Sequence, residues 1–254
     1  MTNLKYEVWM NNVALSSISG AIYVSRISYK PASMRFNTAE VAGRNGERVE
    51  SVKRKGTTVT VSFYLKKTDN INRQEIVQAV AAWAKEGILQ TSDRPHTRLH
   101  VRCVDFPFVS DVCDWLTPVT IVFQTFEQPF WEEMMESVLT LSGSSGSGSL
   151  YVPGNAGKAL VEVTVTPSSS MENITLTVGS TSITLTGVSA TSSSPVTITY
   201  DENGIQKILR GTTSVLSKRT GNDDLIAECG GSNAVSFSAS AAASVTFRTR
   251  GLWL

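Results

Sequence analysis

The sequence predicts a mainly β protein of two domains, and three patterns support this prediction. Apolar and polar residues alternate strictly from Thr58 to Leu65, which indicates a half-buried strand. After Leu150, short alternating runs are separated by Gly, Ser, Asn or Pro, as in a β-sandwich or jelly roll. One segment, at about 73–86, has the three-and-four spacing of an amphipathic helix. We expect an N-terminal β-sandwich or barrel-like sheet with one covering helix, then a C-terminal β-sandwich.

The helix has a start signal and a stop signal. Asn72 can cap its first turn, with Glu75 completing a capping box, and Gly87 can end it in the left-handed conformation. Its apolar stripe requires a sheet to cover, and the alternating runs near Leu99 and Ile121 can supply one. The stripe consists of Ile76, Val77, Val80, Trp83 and Ala84. We expect Trp83, Phe63 and Phe123 to belong to the core of the N-terminal domain.

Between Lys30 and Lys55 the alternation fades and basic residues are frequent. A stretch of this length without periodicity is often a functional arm or loop. We predict an extended arm that packs on another subunit; the alternative is a solvated hairpin with scattered charge. The candidate interface residues are Arg35, Arg44, Asn45, Arg48, Lys53 and Arg54.

Residues 142–149 contain only Gly and Ser, and such a composition favours flexible coil. This stretch predicts a domain junction. The expected organisation is an N-terminal domain over 1–141, a linker over 142–149 and a C-terminal β-sandwich over 150–254.

The composition argues against several classes of function. The net charge of +1 gives no general field for nucleic acid or an anionic membrane. Three cysteines and two histidines without clustered spacing suggest neither a disulfide framework nor a metal site. Because no nucleophile elbow, phosphate loop or paired catalytic carboxylates are found, we expect no enzyme activity, no cofactor and no metal. No signal peptide is recognisable after Met1, so secretion through a signal-dependent path is not expected.

Aromatic residues leave one further function open. A β-sandwich that exposes rings can bind sugars, although rings in alternating strands are more often core. The rings of the C-terminal half are Tyr151, Tyr200, Phe237, Phe247 and Trp253. A second aromatic cluster, Phe126 to Trp131, follows the last strand of the N-terminal half and either plugs the rim of the core or docks a sugar or a partner.

Several short motifs, taken in order, resemble the distal tail protein family of long-tailed bacteriophages. Each is weak alone, but their order and spacing cover essentially the whole chain. They are Tyr29-Lys30-Pro31 with Gly43 to Glu47, the strand Val59–Leu65 before the Trp83-Ala84 helix, Leu89 with Asp93-Arg94-Pro95, Phe126 to Glu133, Pro153 to Gly157, Gly221 to Leu225, and Arg248 to Leu254. Cys229-Gly230-Gly231 departs from the family, where a proline-containing turn is more usual.

The resemblance implies a structural virion component at the phage tail tip, assembled in the host cytoplasm. In this family the N-terminal domain closes a hexameric ring and the C-terminal domain is a galectin-like sandwich. The implied partners are five further copies, the tail tube protein on one face, and a tail-tip hub, tail-associated lysin or receptor-binding proteins on the other. No membrane and no specific nucleic acid are implied. A carbohydrate-binding accessory protein is the alternative function.

Overall fold

A computed structural model describes residues 6–40, 47–66, 70–106, 116–126, 128–201 and 204–254. The chain divides into two compact units, Met1–Trp131 and Glu132–Leu254. Strands dominate both, and the described residues contain a single α-helix, so the predicted mainly β fold class is confirmed.

Unit 1 is an antiparallel sheet with one helix and a separate hairpin. The order of strands in the sheet is β2-β1-β7-β8-β9-β6-β3, while β4 and β5 pair with each other. The elements are β1 (Val8–Met10), β2 (Val13–Ala14), β3 (Ile22–Lys30), β4 (Met34–Glu40), β5 (Glu47–Arg54), β6 (Thr58–Lys66), α1 (Asn70–Trp83), β7 (Glu86–Thr91), β8 (Arg94–Asp105) and β9 (Leu116–Gln124).

The core of unit 1 lies between the helix and the sheet. Alternation along β6 buries the predicted side, Val59 to Leu65, and leaves the other side half-buried or exposed. Phe63 and Phe123 are buried, whereas Trp83 is only half-buried. The Trp83 ring meets Phe123 edge to face at 6.1 Å, and its Nε1–H donates to the carbonyl of Val13 (2.8 Å).

The predicted helix bounds are wrong by about one turn. The helix spans Asn70–Trp83 instead of 73–86, so Asn72 lies inside it and is not its cap. Gly87 belongs to β7, where it pairs with Val101. Its φ of +152° and the nearby Asn11 side chain explain the glycine, since a Cβ would lie 2.1 Å from Asn11 Oδ1. That oxygen accepts the Ile88 N–H (2.9 Å). The absence of a side chain at Gly87 therefore leaves room for the hydrogen bond that holds Asn11 against β7.

Unit 2 is built from antiparallel strands, some of them very long. Its elements are β10 (Trp131–Val152, which begins at the last residue of unit 1), β11 (Lys158–Leu160), β12 (Glu162–Pro167), β13 (Met171–Val178), β14 (Thr181–Ala190), β15 (Val196–Tyr200), β16 (Gln206–Arg210), β17 (Thr213–Ser214), β18 (Arg219–Gly221), β19 (Ile226–Glu228) and β20 (Gly231–Trp253).

Strand β20 pairs with two different groups of strands in unit 2. Its first half, Val235 to Ala239, pairs with β13, and β13 continues to β14 and β18. Its second half, Ala243 to Arg248, pairs with β12, and β12 continues to β15, β16 and β17. The inward side chains of both halves are buried, Phe237 and Phe247 among them.

The flexible linker predicted over 142–149 is wrong, because these residues lie within β10. A straight strand from Leu139 to Gly148 would span about 30 Å. Yet a Cβ on Gly148 would lie 3.1 Å from the Leu139 side chain, so the strand folds back on itself between them. Gly143 lies in this bend with a φ of +126°.

Close packing accounts for the glycines after the bend. A Cβ on Gly146 would lie 2.9 Å from the ring of Phe237 and 3.4 Å from the Cβ of Leu141. Since Phe237 is buried, its ring cannot move aside easily. Packing therefore requires glycine at 146 and 148, and the run 142–149 is part of a strand and not a tether.

Gly146→Val should destabilise unit 2 by about 1–3 kcal/mol, because the added side chain overpacks the contact with Phe237. Urea denaturation of the full chain measures the change. Gly231→Ala is the matched control, since no atom lies within 4 Å of its added Cβ and its φ is not in the left-handed region. Equal stability of the two variants would mean that residues 142–149 form a loose connection.

Trp83→Phe should cost about 1 kcal/mol of stability, because the ring contact is kept but the hydrogen bond to Val13 is lost. Trp83→Ala should cost more, about 2–4 kcal/mol, since the half-buried ring is lost as well. Thermal or urea unfolding of both variants gives the comparison. If the alanine variant unfolded like the wild type, the helix would not be held to the sheet through this residue.

Candidate subunit interface

The hairpin β4–β5 stands apart from the main sheet of unit 1. Within the described residues, its two strands pair only with each other. All but two of the side chains described in it are exposed, the exceptions being half-buried Ala39 and Ser51. This hairpin contains the segment in which an interface arm was predicted.

The register of the hairpin sorts its residues onto two faces. In an antiparallel pair, directly opposite residues share a face and successive residues alternate. Phe36 is opposite Val52, and Met34 lies two residues before Phe36 on the same face. The register then shifts by one residue at Glu50, so Val49 is opposite Thr38 and returns to the face of Phe36. We call Met34, Phe36, Val49 and Val52 the apolar face.

The apolar face is largely open to solvent in the single chain. Each of its four side chains exposes half or more of its surface, between 50 and 55%. A two-stranded hairpin is at best marginally stable in water without a surface to pack on. A contiguous exposed apolar patch of this kind marks a docking surface. The apolar face of the hairpin is therefore the candidate docking surface of unit 1.

The basic residues predicted for the arm lie mainly on the opposite side. Arg35 and Lys53 are directly opposite each other, and Arg48 is opposite Ala39. These three form the basic face. Arg54 shares the apolar side at the base of the hairpin, where its guanidinium lies 5.8 Å from the centroid of the Phe130 ring. Arg44 and Asn45 lie outside the described residues.

The apolar face was missed in the sequence because the bulge at Glu50 breaks its period. Met34 and Phe36 follow the two-residue rule, whereas Val49 and Val52 are three apart. A strict period of two would place these two valines on opposite faces. The only sequence pattern that indicates this face is the pair of valines near Met34-Arg35-Phe36.

The chain enters the hairpin from a polar and aromatic cluster at the end of β3. Tyr29 donates to the Asp93 carboxylate (2.5 Å), and its oxygen lies 2.9 Å from the Thr91 hydroxyl. The Arg94 guanidinium lies 4.8 Å from the Tyr29 ring centroid and 5.0 Å from that of Trp131, which is buried. Burial, and then the bond to Asp93, raise the pKa of Tyr29, so the phenol stays protonated. These contacts hold the end of β3, from which the chain continues into the hairpin.

The aromatic cluster Phe126 to Trp131 was predicted either to close the rim of the core or to dock a sugar or a partner, and its residues differ in this respect. Trp131 is buried and plugs the core, whereas Phe126 exposes 55% of its surface. The Arg102 guanidinium lies 5.7 Å from the Phe126 ring centroid. Phe126 is therefore not a core residue, and the cluster does not act as one unit.

Most of the rings considered for sugar binding are engaged inside unit 2. Phe237 and Phe247 are buried. The Tyr200 hydroxyl accepts the Leu225 N–H (3.2 Å), and Trp253 Nε1–H donates to the Glu133 carboxylate (2.8 Å). Tyr151 is the one ring of the five that is largely exposed. This arrangement offers no pair of exposed rings among the candidates.

Signs of other chemistry are few in the described part of the chain. There, no three His, Cys, Asp or Glu side chains group in a way that could hold a metal ion. None of the described helical residues forms a span long and apolar enough to cross a membrane. Cys103 and Cys229 are free thiols whose pKa is raised by burial.

Comparison with known proteins gives similarity in structure but not in sequence. No protein-family model matches the chain, and no curated protein matches it. The Dit protein (gp 19.1) of phage SPP1, described as a paradigm of the hub adsorption apparatus in phages that infect Gram-positive bacteria, has a similar structure. The TM-score is 0.71 at 12% identity, over 96% of this chain and 98% of that one.

A second similar structure comes from the phage P2 baseplate in its activated conformation with Ca. The TM-score is 0.51 at 8% identity, and the match covers 97% of each chain. At these identities the likeness is one of fold. Both matches extend through both units, so the chain has the complete fold of these phage proteins.

Proposed function

We propose that this chain is a structural component of a phage tail, a distal tail protein whose copies form a hexameric ring between the tail tube and the tail-tip or baseplate apparatus. The observation that carries the proposal is the fold shared along almost the full length of both chains with the SPP1 Dit protein. The exposed apolar face supports the proposal independently, because burying it between copies would favour assembly. The role is one of scaffolding and requires no catalytic group.

Ring closure requires a heterologous contact, in which one surface of a subunit meets a different surface of the next. The hairpin suits this contact because the side chains of its apolar face expose half or more of their surface in the single chain. In the proposed ring, the apolar face packs on the neighbouring copy and loses its contact with water. Arg35, Arg44, Asn45, Arg48, Lys53 and Arg54 remain the proposed arm residues, with the apolar face added to them.

The ring has two ends, and each has its own partner. We place the tail tube protein at one end and a tail-tip hub, tail-associated lysin or receptor-binding proteins at the other. Neither a membrane nor a specific nucleic acid is among these partners. Assembly in the host cytoplasm and a final place at the virion tail tip follow from this role.

Electron microscopy of the purified full chain tests the proposal directly. We expect annular particles with six-fold symmetry, and light scattering after size exclusion should give the mass of six chains. A protein that stayed monomeric at high concentration, with no annuli on the grid, would contradict the ring.

Substitution on the apolar face should prevent assembly without unfolding the chain. Phe36→Ser with Val52→Ser removes two exposed apolar side chains, so the dissociation constant of the assembly should rise about tenfold or more. Sedimentation velocity over a concentration series measures it.

Val138→Ser is the control for this pair, since Val138 is an equally exposed valine in unit 2. It should leave the assembly intact. Melting temperatures should be similar for the monomers of both variants, because none of the three residues is part of a core. An assembly that tolerated the double substitution would remove the hairpin from the ring contact.

A further inference from the structure

Positive charge is concentrated in one short segment of this nearly neutral chain. Residues 30–55 contain seven Lys and Arg against three Glu, whereas the rest of the chain contains sixteen Lys and Arg against nineteen Asp and Glu. The segment therefore has a net charge of +4 and the remainder a net charge of −3. Because the hairpin β4–β5 lies within this segment, it has a local positive field that the overall charge of +1 does not reveal.

The basic face of the hairpin presents three exposed cations. Arg35 and Lys53 are directly opposite each other, and Arg48 is opposite Ala39 on the same face. Like charges directly opposite each other destabilise a pair of strands. None of the ion pairs among the described residues includes any of these three cations. An anion bound to the basic face would therefore relieve this repulsion.

The acids described in the hairpin leave the basic face positive. Glu47 lies two residues before Val49, so the register places it on the apolar side. Glu50 is the extra residue of the bulge and is exposed. Neither acid forms an ion pair with a described residue. The three cations are thus open to an anion from outside the chain.

The other side chains on this side of the hairpin suit a nucleic acid better than a protein. Asn37 is directly opposite Ser51, and its Nδ2 donates to the Ser51 Oγ (3.1 Å). Arg, Lys, Asn and Ser are the side chains that commonly contact DNA phosphates. The centre of a protein–protein interface is instead apolar and depleted in charge. The only apolar side chain on this side is Ala39, which is half-buried.

We propose that the basic face binds the phosphate backbone of double-stranded DNA without preference for sequence. A two-stranded ribbon is narrow enough to lie in the major groove, with phosphates on either side. Four residues separate Arg35 from Ala39, the partner of Arg48, so the cations extend over about 13 Å along the ribbon. This length corresponds to about four phosphates of one strand, which follow each other every 3.4 Å along the DNA axis.

This binding site goes beyond the proposed scaffolding role and does not require the ring. The basic face and the apolar face lie on opposite sides of the same ribbon. A neighbouring copy that covered the apolar face would therefore leave the basic face open to DNA.

Fluorescence anisotropy of a labelled duplex of random sequence, titrated with the full chain, tests the proposal. Arg35→Gln with Arg48→Gln and Lys53→Gln removes three phosphate contacts. Its dissociation constant at low salt should be about tenfold higher or more, and the slope of log K against log salt should become shallower by about 2.7, at about 0.9 per contact. Arg48→Gln alone is a milder variant, and its slope should change by about 0.9.

The matched control removes the same charge from unit 2. Lys158→Gln with Lys207→Gln and Arg248→Gln replaces three exposed cations, and the surface ion pairs that are lost contribute little to stability. Affinity and slope should stay nearly unchanged, and circular dichroism should show that both triple variants are folded. Equal losses of affinity in the two triple variants would mean that only the general charge matters, and the proposal would be wrong.

Two further ligands separate the proposed site from its alternatives. Poly-L-glutamate at the same charge concentration should bind more weakly than the duplex; tighter binding would assign the basic face to an acidic protein. Two duplexes of unrelated sequence should bind equally, because phosphates carry no sequence information, and a strong preference would contradict the proposal. No binding of any duplex at low salt would overturn it. A chain that bound the duplex but formed no ring would refute the ring alone.

Discussion

The hairpin β4–β5 sets the main constraint on this protein, because four apolar side chains share one of its faces and each exposes half or more of its surface in the single chain. Hydrophobic burial is the principal source of stability in a folded chain, and a two-stranded hairpin has almost none of its own. A surface that covered its apolar face would therefore stabilise it. The rest of unit 1 supports this arrangement, since the Tyr29, Asp93 and Arg94 contacts fix the strand from which the hairpin departs.

Much of the fold could be predicted from the sequence where one local pattern decided the structure. The alternation in β6 identified Val59, Val61, Phe63 and Leu65 as one buried side, because a strand with one wet face has no other stable orientation. The helix was predicted, but about one turn too far along the chain. Gly87 is a residue type that often ends a helix. Here a glycine is needed in a strand instead, because the side chain of Asn11, distant in sequence, packs against it and accepts the Ile88 N–H.

The other errors, in the predicted linker and in the candidate interface, have the same physical origin. The Gly and Ser run at 142–149 has the composition of a coil, but the approach of Leu139, Leu141 and Phe237 explains its glycines at 146 and 148. In the hairpin, the frequent basic residues predicted the interface. The apolar face could not be predicted, because the extra residue at Glu50 breaks the two-residue period of the strand. Long-range contacts and bulges leave little trace in a short window of sequence.

The long strand β20 gives unit 2 a mechanical property. It pairs with β12 over six positions and with β13 over five, so one continuous backbone joins two groups of strands. A pull along this strand loads many hydrogen bonds together in shear, whereas a pull across a hairpin end would open them one at a time. Unit 2 is thus suited to resist a pull along β20, because its strand pairs would have to break together and not one after another.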